Sequence, residues 1–181
     1  QRADDIARVA AARDALPNAR LKVDANMGYT LDGALEALRK LCEYGIIYAE
    51  QPVASIEDMA ALRFAIAKEG LPARIAADES IRKAEDPLKV ARANAADLMV
   101  IKAAPLGGVR RALALVEQAQ LPAVVSSALE SSVGIATGAS LAASLPTLRY
   151  GCGLGTVSLM AEDVTDEPLI ARDGFMDLRT I

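Results

Sequence analysis

Short apolar runs alternate with longer amphipathic stretches along the whole 181-residue chain. The runs have the length of strands and lack a polar face, so they predict strands that are buried on both sides. The stretches between them carry apolar residues at helical spacing, as at Leu31, Leu35 and Leu38. The predicted strands are 21–25, 46–50, 74–78, 98–102 and 123–127, with a last short one near 149–152, and helices are predicted at 3–16, at 131–144 and in the intervals between strands.

The spacing of these elements is regular. The predicted strand ends fall at residues 24, 50, 78, 102 and 126, so each strand-plus-helix unit is 24 to 28 residues long. This strict alternation predicts an α/β fold with parallel strands, either an open doubly wound sheet or a (β/α)8 barrel. No glycine-rich phosphate-binding motif follows a predicted strand, which favours the barrel. Six strands are too few to close a barrel of this type. We therefore predict a single domain, residues 1–181, that is a partial (β/α)8 TIM-type barrel of about six βα units. The barrel is predicted to be truncated at its N-terminus and to lack its first two strands.

Polar residues mark several helix starts and one turn. Thr30 is placed to cap the next helix, and Ser55, followed three residues later by an acid, resembles a capping box. The pair Asp86-Pro87 predicts another start, with the acid as cap and the proline at the first helical position. Residues 164–181, with an Asp173-Gly174 turn, are predicted to be a return segment that packs on residues outside the chain.

Composition excludes several classes of function. The net charge is −4 and aromatic residues make up only 3% of the chain, which argues against a nucleic-acid surface. No apolar run approaches the ~18 residues that a membrane span needs. Cys42 and Cys152 are isolated, which favours a reducing, cytoplasmic setting. The chain has no histidine, so a general base within it must be Lys, Asp, Glu, Tyr or Cys.

Charged residues occupy the predicted strand ends. Asp24, Glu50 and Asp78 end three successive strands, Lys102 ends the next, and Ser126 ends the one after it. In a parallel barrel these ends open onto one face, where active sites are built. Converging carboxylates repel one another unless a cation lies between them. The acids therefore predict a site for Mg²⁺, with Mn²⁺ as the alternative, because both ions prefer oxygen ligands.

A structural interpretation of the same residues stays open. An acid at a strand end can cap the following helix, and a lysine there can lie along the surface with its amine in water. Three acids followed by Lys102, all in phase with the βα period, favour a functional site. Each acid also follows its apolar run directly, several residues before the helix begins.

The motifs around these residues resemble those of the enolase superfamily. Segments 23–26, 49–52 and 77–80 resemble its three metal-ligand motifs, and Ile101-Lys102 resembles the sixth-strand lysine of its muconate-lactonizing subgroup. The resemblance implies a divalent metal held by Asp24, Glu50 and Asp78, with Lys102 as a catalytic residue. Around the ligands it implies supporting roles for Asn26 and Glu79.

Within that subgroup, segments 103–108, 126–134 and 151–156 resemble the dehydratases that form o-succinylbenzoate in menaquinone biosynthesis. The resemblance implies that the last two segments bind the carboxylates of the substrate through backbone amides and hydroxyls. Helix capping by the serines and tight turns at the glycines remain equally open. The implied substrate-binding residues are Ser126, Ser127, Ser131, Gly153 and Gly155.

The implied reaction is the metal-dependent dehydration of 2-succinyl-6-hydroxy-2,4-cyclohexadiene-1-carboxylate to o-succinylbenzoate through an enediolate. The expected binding partner is thus a small-molecule carboxylate, and binding to nucleic acid or to a membrane is not expected. The family's acid/base lysine lies in a Lys-x-Lys motif upstream of residue 1, and its N-terminal capping domain is also absent. We therefore expect the 181-residue chain to need the missing N-terminal part of its protein and to be inactive alone. Two alternatives remain: an N-succinylamino-acid racemase or dipeptide epimerase, and a non-catalytic truncated barrel that acts as a binding module.

Overall fold

A computed structural model describes residues 4–83 and 86–177 of the chain. Helices and strands alternate in it as the sequence pattern predicts. The helices are α1 (Asp5–Ala15), α2 (Leu31–Leu41), α3 (Ile56–Glu69), α4 (Asp86–Arg92), α5 (Val109–Ala119) and α6 (Ser132–Ser144), with short 3₁₀ turns at Cys42–Tyr44 and Thr156–Leu159. The strands are β1 (Val23–Asp24), β2 (Ala49–Glu50), β3 (Ile75–Ala77), β4 (Leu98–Ile101) and β5 (Ala123–Val125).

The chain divides into two compact units. The first takes residues up to 80 together with 89–98, and the second takes 81–88 together with 99 onward. That residues 1–181 form a single domain therefore stays a prediction.

In the first unit, β1, β2 and β3 are parallel neighbours. Val23 pairs with Ala49, and Ala49 pairs in turn with Ile75. Strand β3 is fully buried and Ala49 of β2 is nearly so. Strand β1 differs from the prediction of strands buried on both sides, because Val23 is only half-buried and Asp24 is exposed. The side chains of Leu38, Met59 and Leu62 from α2 and α3 are almost fully enclosed.

Helices α2 and α3 begin where the sequence predicts. The Thr30 hydroxyl accepts a hydrogen bond from the Gly33 N–H at 3.2 Å, and the Ser55 hydroxyl accepts one from the Asp58 N–H at 3.0 Å. Each satisfies one of the backbone N–H groups that a helix start leaves without a partner. Each bond thereby marks the residue at which its helix begins.

In the second unit, β4 and β5 pair in parallel, with Val100 opposite Val124. Their residues are almost completely buried. Helix α6 is rich in small residues because it packs closely: a Cβ added at Gly138 would lie 2.8 Å from a methyl carbon of Leu154. The last predicted strand, near 149–152, is reduced to one parallel bridge between Ser126 and Gly153.

The strand lengths and the start of α4 differ from the sequence predictions. The strands are shorter at their ends, because only two to four residues of each join the hydrogen-bonded ladder. Residue 3, where the first helix was predicted to begin, lies outside the described residues, as do residues 178–181 of the tail. Asp86 does not precede α4 but is the first described residue of the helix, and its carboxylate accepts hydrogen bonds from the N–H groups of Arg82 (3.1 Å) and Lys83 (2.7 Å).

The turn predicted at Asp173-Gly174 is present. Arg172 and Phe175 exchange two backbone hydrogen bonds of 2.8 and 2.9 Å across it. Both turn residues have positive φ, 51° and 80°, as a tight hairpin turn requires. Whether the return segment packs on residues outside the chain stays a prediction.

No helix in the part of the chain that the structure describes is both long and apolar enough to cross a bilayer. Cys42 and Cys152 are both half-buried thiols.

Candidate metal centre and strand-end residues

Strand register brings the first two predicted ligands side by side. Asp24 at the end of β1 pairs directly with Glu50 at the end of β2. Neighbouring strands lie about 4.8 Å apart, so the two carboxylates start from adjacent backbone positions. Glu50 pairs in turn with Ala76, and Asp78 lies two residues further along. Asp78 directly follows β3, so it lies at the same end of these parallel strands as Asp24 and Glu50.

Asn26 links the first acidic motif to the third. Its backbone N–H and its side-chain amide each donate to Asp24, at 2.9 Å to Oδ1 and 2.9 Å to Oδ2. The same amide nitrogen lies 3.3 Å from Oε1 of Glu79. The backbone of Asn26 is left-handed, with φ 43°, a conformation that asparagine tolerates better than most residues. The predicted supporting residues Asn26 and Glu79 are thus brought together with Asp24.

The electrostatics of this cluster are those of crowded acids. Partial burial of its carboxylate raises the pKa of Asp24, and repulsion from the charges of Glu79 and Asp78 raises it further. The two hydrogen bonds from Asn26 oppose that rise. Among the described residues, Oε2 of Glu79 is a buried oxygen with no hydrogen-bond partner. A buried carboxylate oxygen without a partner is costly, and a cation nearby would lower that cost.

The donor set fits a hard divalent ion, because every group in it is a carboxylate or an amide and therefore offers oxygen. Within residues 4–83 and 86–177, however, no group of three or more His, Cys, Asp or Glu side chains is arranged closely enough to hold a metal. The structure brings Asp24, Asn26 and Glu79 into contact and aligns Asp24 with Glu50. The assignment of Asp24, Glu50 and Asp78 as ligands stays a prediction.

Sequence reasoning missed one residue of this region. Gln51 follows Glu50, and its side chain is fully buried. Its amide oxygen accepts hydrogen bonds from the N–H groups of Asp78 (3.0 Å) and Ser80 (3.1 Å). A signal was available, since a polar amide directly after a buried strand must find partners. Those partners lie far along the chain, so the sequence could not identify them.

The remaining predicted site residues lie in the second unit. Lys102 is half-buried and directly follows β4. Ser126 and Ser127 follow β5, and both contact Gly153: the Ser126 hydroxyl donates to its carbonyl at 3.3 Å, and the Ser127 N–H donates to the same carbonyl at 3.0 Å. The Ser127 hydroxyl also shares a 2.6 Å hydrogen bond with Thr156.

Gly153 has a structural reason to be glycine. A Cβ there would lie 2.8 Å from the Ser126 hydroxyl oxygen. At Gly155, by contrast, a Cβ would meet no described atom within 4 Å, so packing does not explain that glycine. Substrate binding by either residue stays a prediction.

The N-terminus of α6 is capped from within the chain. Asp163 accepts a 3.0 Å hydrogen bond from the Ser132 N–H and a second, shorter one from the Ser132 hydroxyl. These bonds lower the pKa of the Asp163 carboxyl, with the hydroxyl bond as the largest cause. Ser131 is the N-cap residue, and no capping bond from its side chain occurs in the described structure. The carboxylate that occupies this helix end is therefore the chain's own, and Ser131 as a substrate contact stays a prediction.

Residues 1–180 match the sequence model of a family described as Enolase C-terminal domain-like. The chain belongs to this family. Members of the enolase superfamily use a divalent metal. An o-succinylbenzoate synthase from Thermobifida fusca is 49% identical over 180 residues, which are 99% of this chain and 55% of that protein. One from Mycolicibacterium smegmatis is 55% identical over 173 residues, which are 95% of this chain and 51% of that protein.

Solved structures give the same family. A muconate cycloisomerase from Pseudomonas fluorescens superposes with a TM-score of 0.84 at 33% identity, over 95% of this chain and 48% of that one. A dipeptide epimerase from Enterococcus faecalis V583 gives a TM-score of 0.79 at 26% identity, over 92% and 48% of the two chains. This enolase-type domain thus spans about half the length of the curated relatives it matches.

These relatives confirm the resemblance to the enolase superfamily and, within it, to o-succinylbenzoate synthases. The predicted α/β fold of TIM-barrel type is confirmed by the same family and its structural neighbours. The roles of individual residues stay predictions.

Proposed function

We propose that the native protein is a metal-dependent lyase that dehydrates 2-succinyl-6-hydroxy-2,4-cyclohexadiene-1-carboxylate to o-succinylbenzoate. The observation that carries this proposal is the identity of 49% and 55% to o-succinylbenzoate synthases over nearly the whole chain. The alignment of Asp24 with Glu50 at adjacent strand ends supports it. In this proposal the protein acts in menaquinone biosynthesis in the cytoplasm.

In the proposed mechanism, Asp24, Glu50 and Asp78 would hold a divalent ion, and an all-oxygen site suits Mg²⁺ or Mn²⁺. When bound, the ion would supply positive charge that makes the proton beside the ring carboxylate of the substrate more acidic. Asn26 holds the Asp24 carboxylate in orientation through its two hydrogen bonds. Lys102 contributes a positive charge that stabilises the negative charge developing on the substrate.

Proton transfer completes the reaction. A base outside the 181 residues, a lysine by family resemblance, takes the ring proton beside the carboxylate. The same group then protonates the departing hydroxide, which leaves as water, and the ring becomes aromatic. The native protein is therefore proposed to need its N-terminal part for turnover. Turnover by the isolated chain near the rate of a full-length relative would contradict this requirement.

Ultraviolet absorbance follows the formation of the aromatic ring and tests the proposal in the native protein. The substitutions Asp24→Asn, Glu50→Gln and Asp78→Asn should each lower kcat/KM by roughly 10²-fold or more, because metal stabilisation of the developing charge contributes several kcal/mol. The matched control is Asp32→Asn, an exposed acid in the first turn of α2, which should leave kcat/KM unchanged. Equal activity in the site variants and the control would refute the proposal.

The similarity to a dipeptide epimerase supports a second candidate, racemisation or epimerisation at a carbon next to a carboxylate. In that reaction Lys102 would donate and retrieve a proton, which arginine cannot do. Lys102→Arg should therefore abolish an epimerase, whereas a dehydratase that needs only the charge should retain some activity. Exchange of the substrate α-proton with deuterium from solvent, without loss of water, would favour the second candidate.

A further inference from the structure

Gln51 has an unusual backbone and a fully buried side chain. It directly follows Glu50 at the end of β2, and its φ of 33° lies in the left-handed region that residues other than glycine seldom adopt. Such a conformation persists only where surrounding contacts hold it, and these positions cluster at functional sites. A buried amide also needs partners for both of its ends.

Each end of the amide finds matching partners. The oxygen accepts from two backbone N–H groups, those of Asp78 at 3.0 Å and Ser80 at 3.1 Å. The nitrogen donates to the Val53 carbonyl at 3.0 Å and to the Ser80 hydroxyl at 2.9 Å. The partners therefore determine which end of the amide is oxygen. Through these bonds the side chain holds the loop after β3 in one position.

The backbone of Gln51 extends the same network in both directions. Its N–H donates to the carbonyl of Ala76 at 2.9 Å, and its carbonyl accepts from the N–H of Met27 at 2.7 Å. Met27 lies three residues after Asp24 and itself has positive φ, 61°. One residue thus contacts the backbone of the segment after β1 and that of the segment around Asp78, and it is covalently joined to Glu50.

The geometry points to Gln51 as the positioning residue of the metal centre: it sets the spacing of the backbone segments that carry Asp24, Glu50 and Asp78, and so sets the affinity for the divalent ion. This inference rests on the proposed function, because it assigns Gln51 to the ion site proposed there. Gln51 acts through the backbone of the ligand-bearing segments and needs no contact with substrate. Groups that orient metal ligands typically change metal affinity by about 10- to 100-fold when replaced.

Magnesium affinity of the native protein separates positioning from simple stability. Gln51→Met keeps the length of the side chain and removes its hydrogen bonds, and it should weaken Mg²⁺ binding, measured by calorimetry with the metal alone, by about 10- to 100-fold. The control is Leu62→Ala, which removes a fully buried side chain of α3 in the same unit. This control should lose stability to urea yet keep its Mg²⁺ affinity within about threefold of wild type, because the substitution removes apolar packing and no hydrogen bond.

The outcomes are distinct. If wild type binds Mg²⁺ and Gln51→Met binds it equally well, the inference about Gln51 is overturned while the proposed function stands. If wild type binds no divalent ion, the proposed function fails and the inference fails with it. If Gln51→Met does not fold, Gln51→Asn replaces it. Asparagine keeps the amide, but its side chain is one methylene too short to reach the N–H groups of Asp78 and Ser80, so the same loss of Mg²⁺ affinity is expected. Unchanged Mg²⁺ affinity in Gln51→Asn would overturn the inference.

Discussion

One carboxylate, Asp97, joins three parts of the first unit, and its removal should be among the costlier single changes there. Its Oδ1 accepts from the Arg63 guanidinium of α3 at 2.6 and 3.1 Å. Its Oδ2 accepts from the backbone N–H of Ile75, at the start of β3, at 2.8 Å. The Arg63 and Asp97 side chains are only 22% and 27% exposed, so water replaces these contacts poorly.

The magnitude follows from what Asp97→Ala leaves behind. Ile75 is completely buried, and a buried N–H without an acceptor costs about 1–3 kcal/mol. Losing hydrogen bonds to a charged group costs about 1.5–3 kcal/mol. The two costs share one carboxylate and water partly rehydrates Arg63, so we expect a total near 3 kcal/mol rather than their sum. Asp97→Asn keeps an acceptor for the Ile75 N–H and should cost about half as much.

Urea denaturation followed by far-ultraviolet circular dichroism measures these losses. The comparison is Glu69→Ala, which breaks the bidentate Arg39–Glu69 pair between α2 and α3 (2.6 and 2.8 Å). That pair is exposed and leaves no backbone group unsatisfied, so its loss should matter much less. The expected order of destabilisation is Asp97→Ala, then Asp97→Asn, then Glu69→Ala. An Asp97→Ala variant that is no less stable than Glu69→Ala would refute the reasoning.

Two further predictions concern pH and close packing. Burial, together with a 3.0 Å hydrogen bond to Asp5, raises the pKa of Tyr29 from 10.0 to about 12. Because the folded-state pKa is the higher one, the stabilisation by Tyr29 is complete below pH 10 and is lost as the pH rises through about 12. A Tyr29→Phe variant whose free energy of unfolding falls as steeply as that of wild type between these pH values would contradict the prediction. Gly153→Ala would place a Cβ 2.8 Å from the Ser126 hydroxyl oxygen, so it should lower the thermal midpoint, and adding Ser126→Ala should partly restore that midpoint. The control Gly151→Ala, whose Cβ would meet no described atom within 4 Å, should leave the midpoint unchanged. If Ser126→Ala gave no rescue, the clash would lie elsewhere.

Local chemistry made the elements of this fold predictable. Runs of buried apolar residues and helical spacing locate strands and helices, and Thr30 and Ser55 mark helix starts because each bonds an N–H only three residues away. Strand ends were predicted too long, because an apolar residue can be buried beyond the last ladder hydrogen bond. The strand predicted near 149–152 does not form as a strand. Gly153 makes one parallel bridge with Ser126, directly after β5, and in the described structure its neighbours add no further ladder pairs.

The contacts that shape the candidate site depend on distant parts of the chain. Asp24 and Glu50 could be predicted as neighbours because parallel strands in a βα repeat end on one side. The partners of Gln51 at Asp78 and Ser80 lie 27 and 29 residues away, and Asp163 caps α6 from 31 residues away. No local pattern specifies such pairs, since they are set by how the loops pack after the strands are in place.

The central claim, that the strand-end acids share one divalent ion, is tested most directly by anomalous diffraction from crystals of the native protein grown with Mn²⁺. One strong peak is expected within about 2.5 Å of carboxylate oxygens from Asp24, Glu50 and Asp78 together, near the metal–oxygen distances usual for such ions. A peak at other residues, or no peak at saturating Mn²⁺, would contradict the claim.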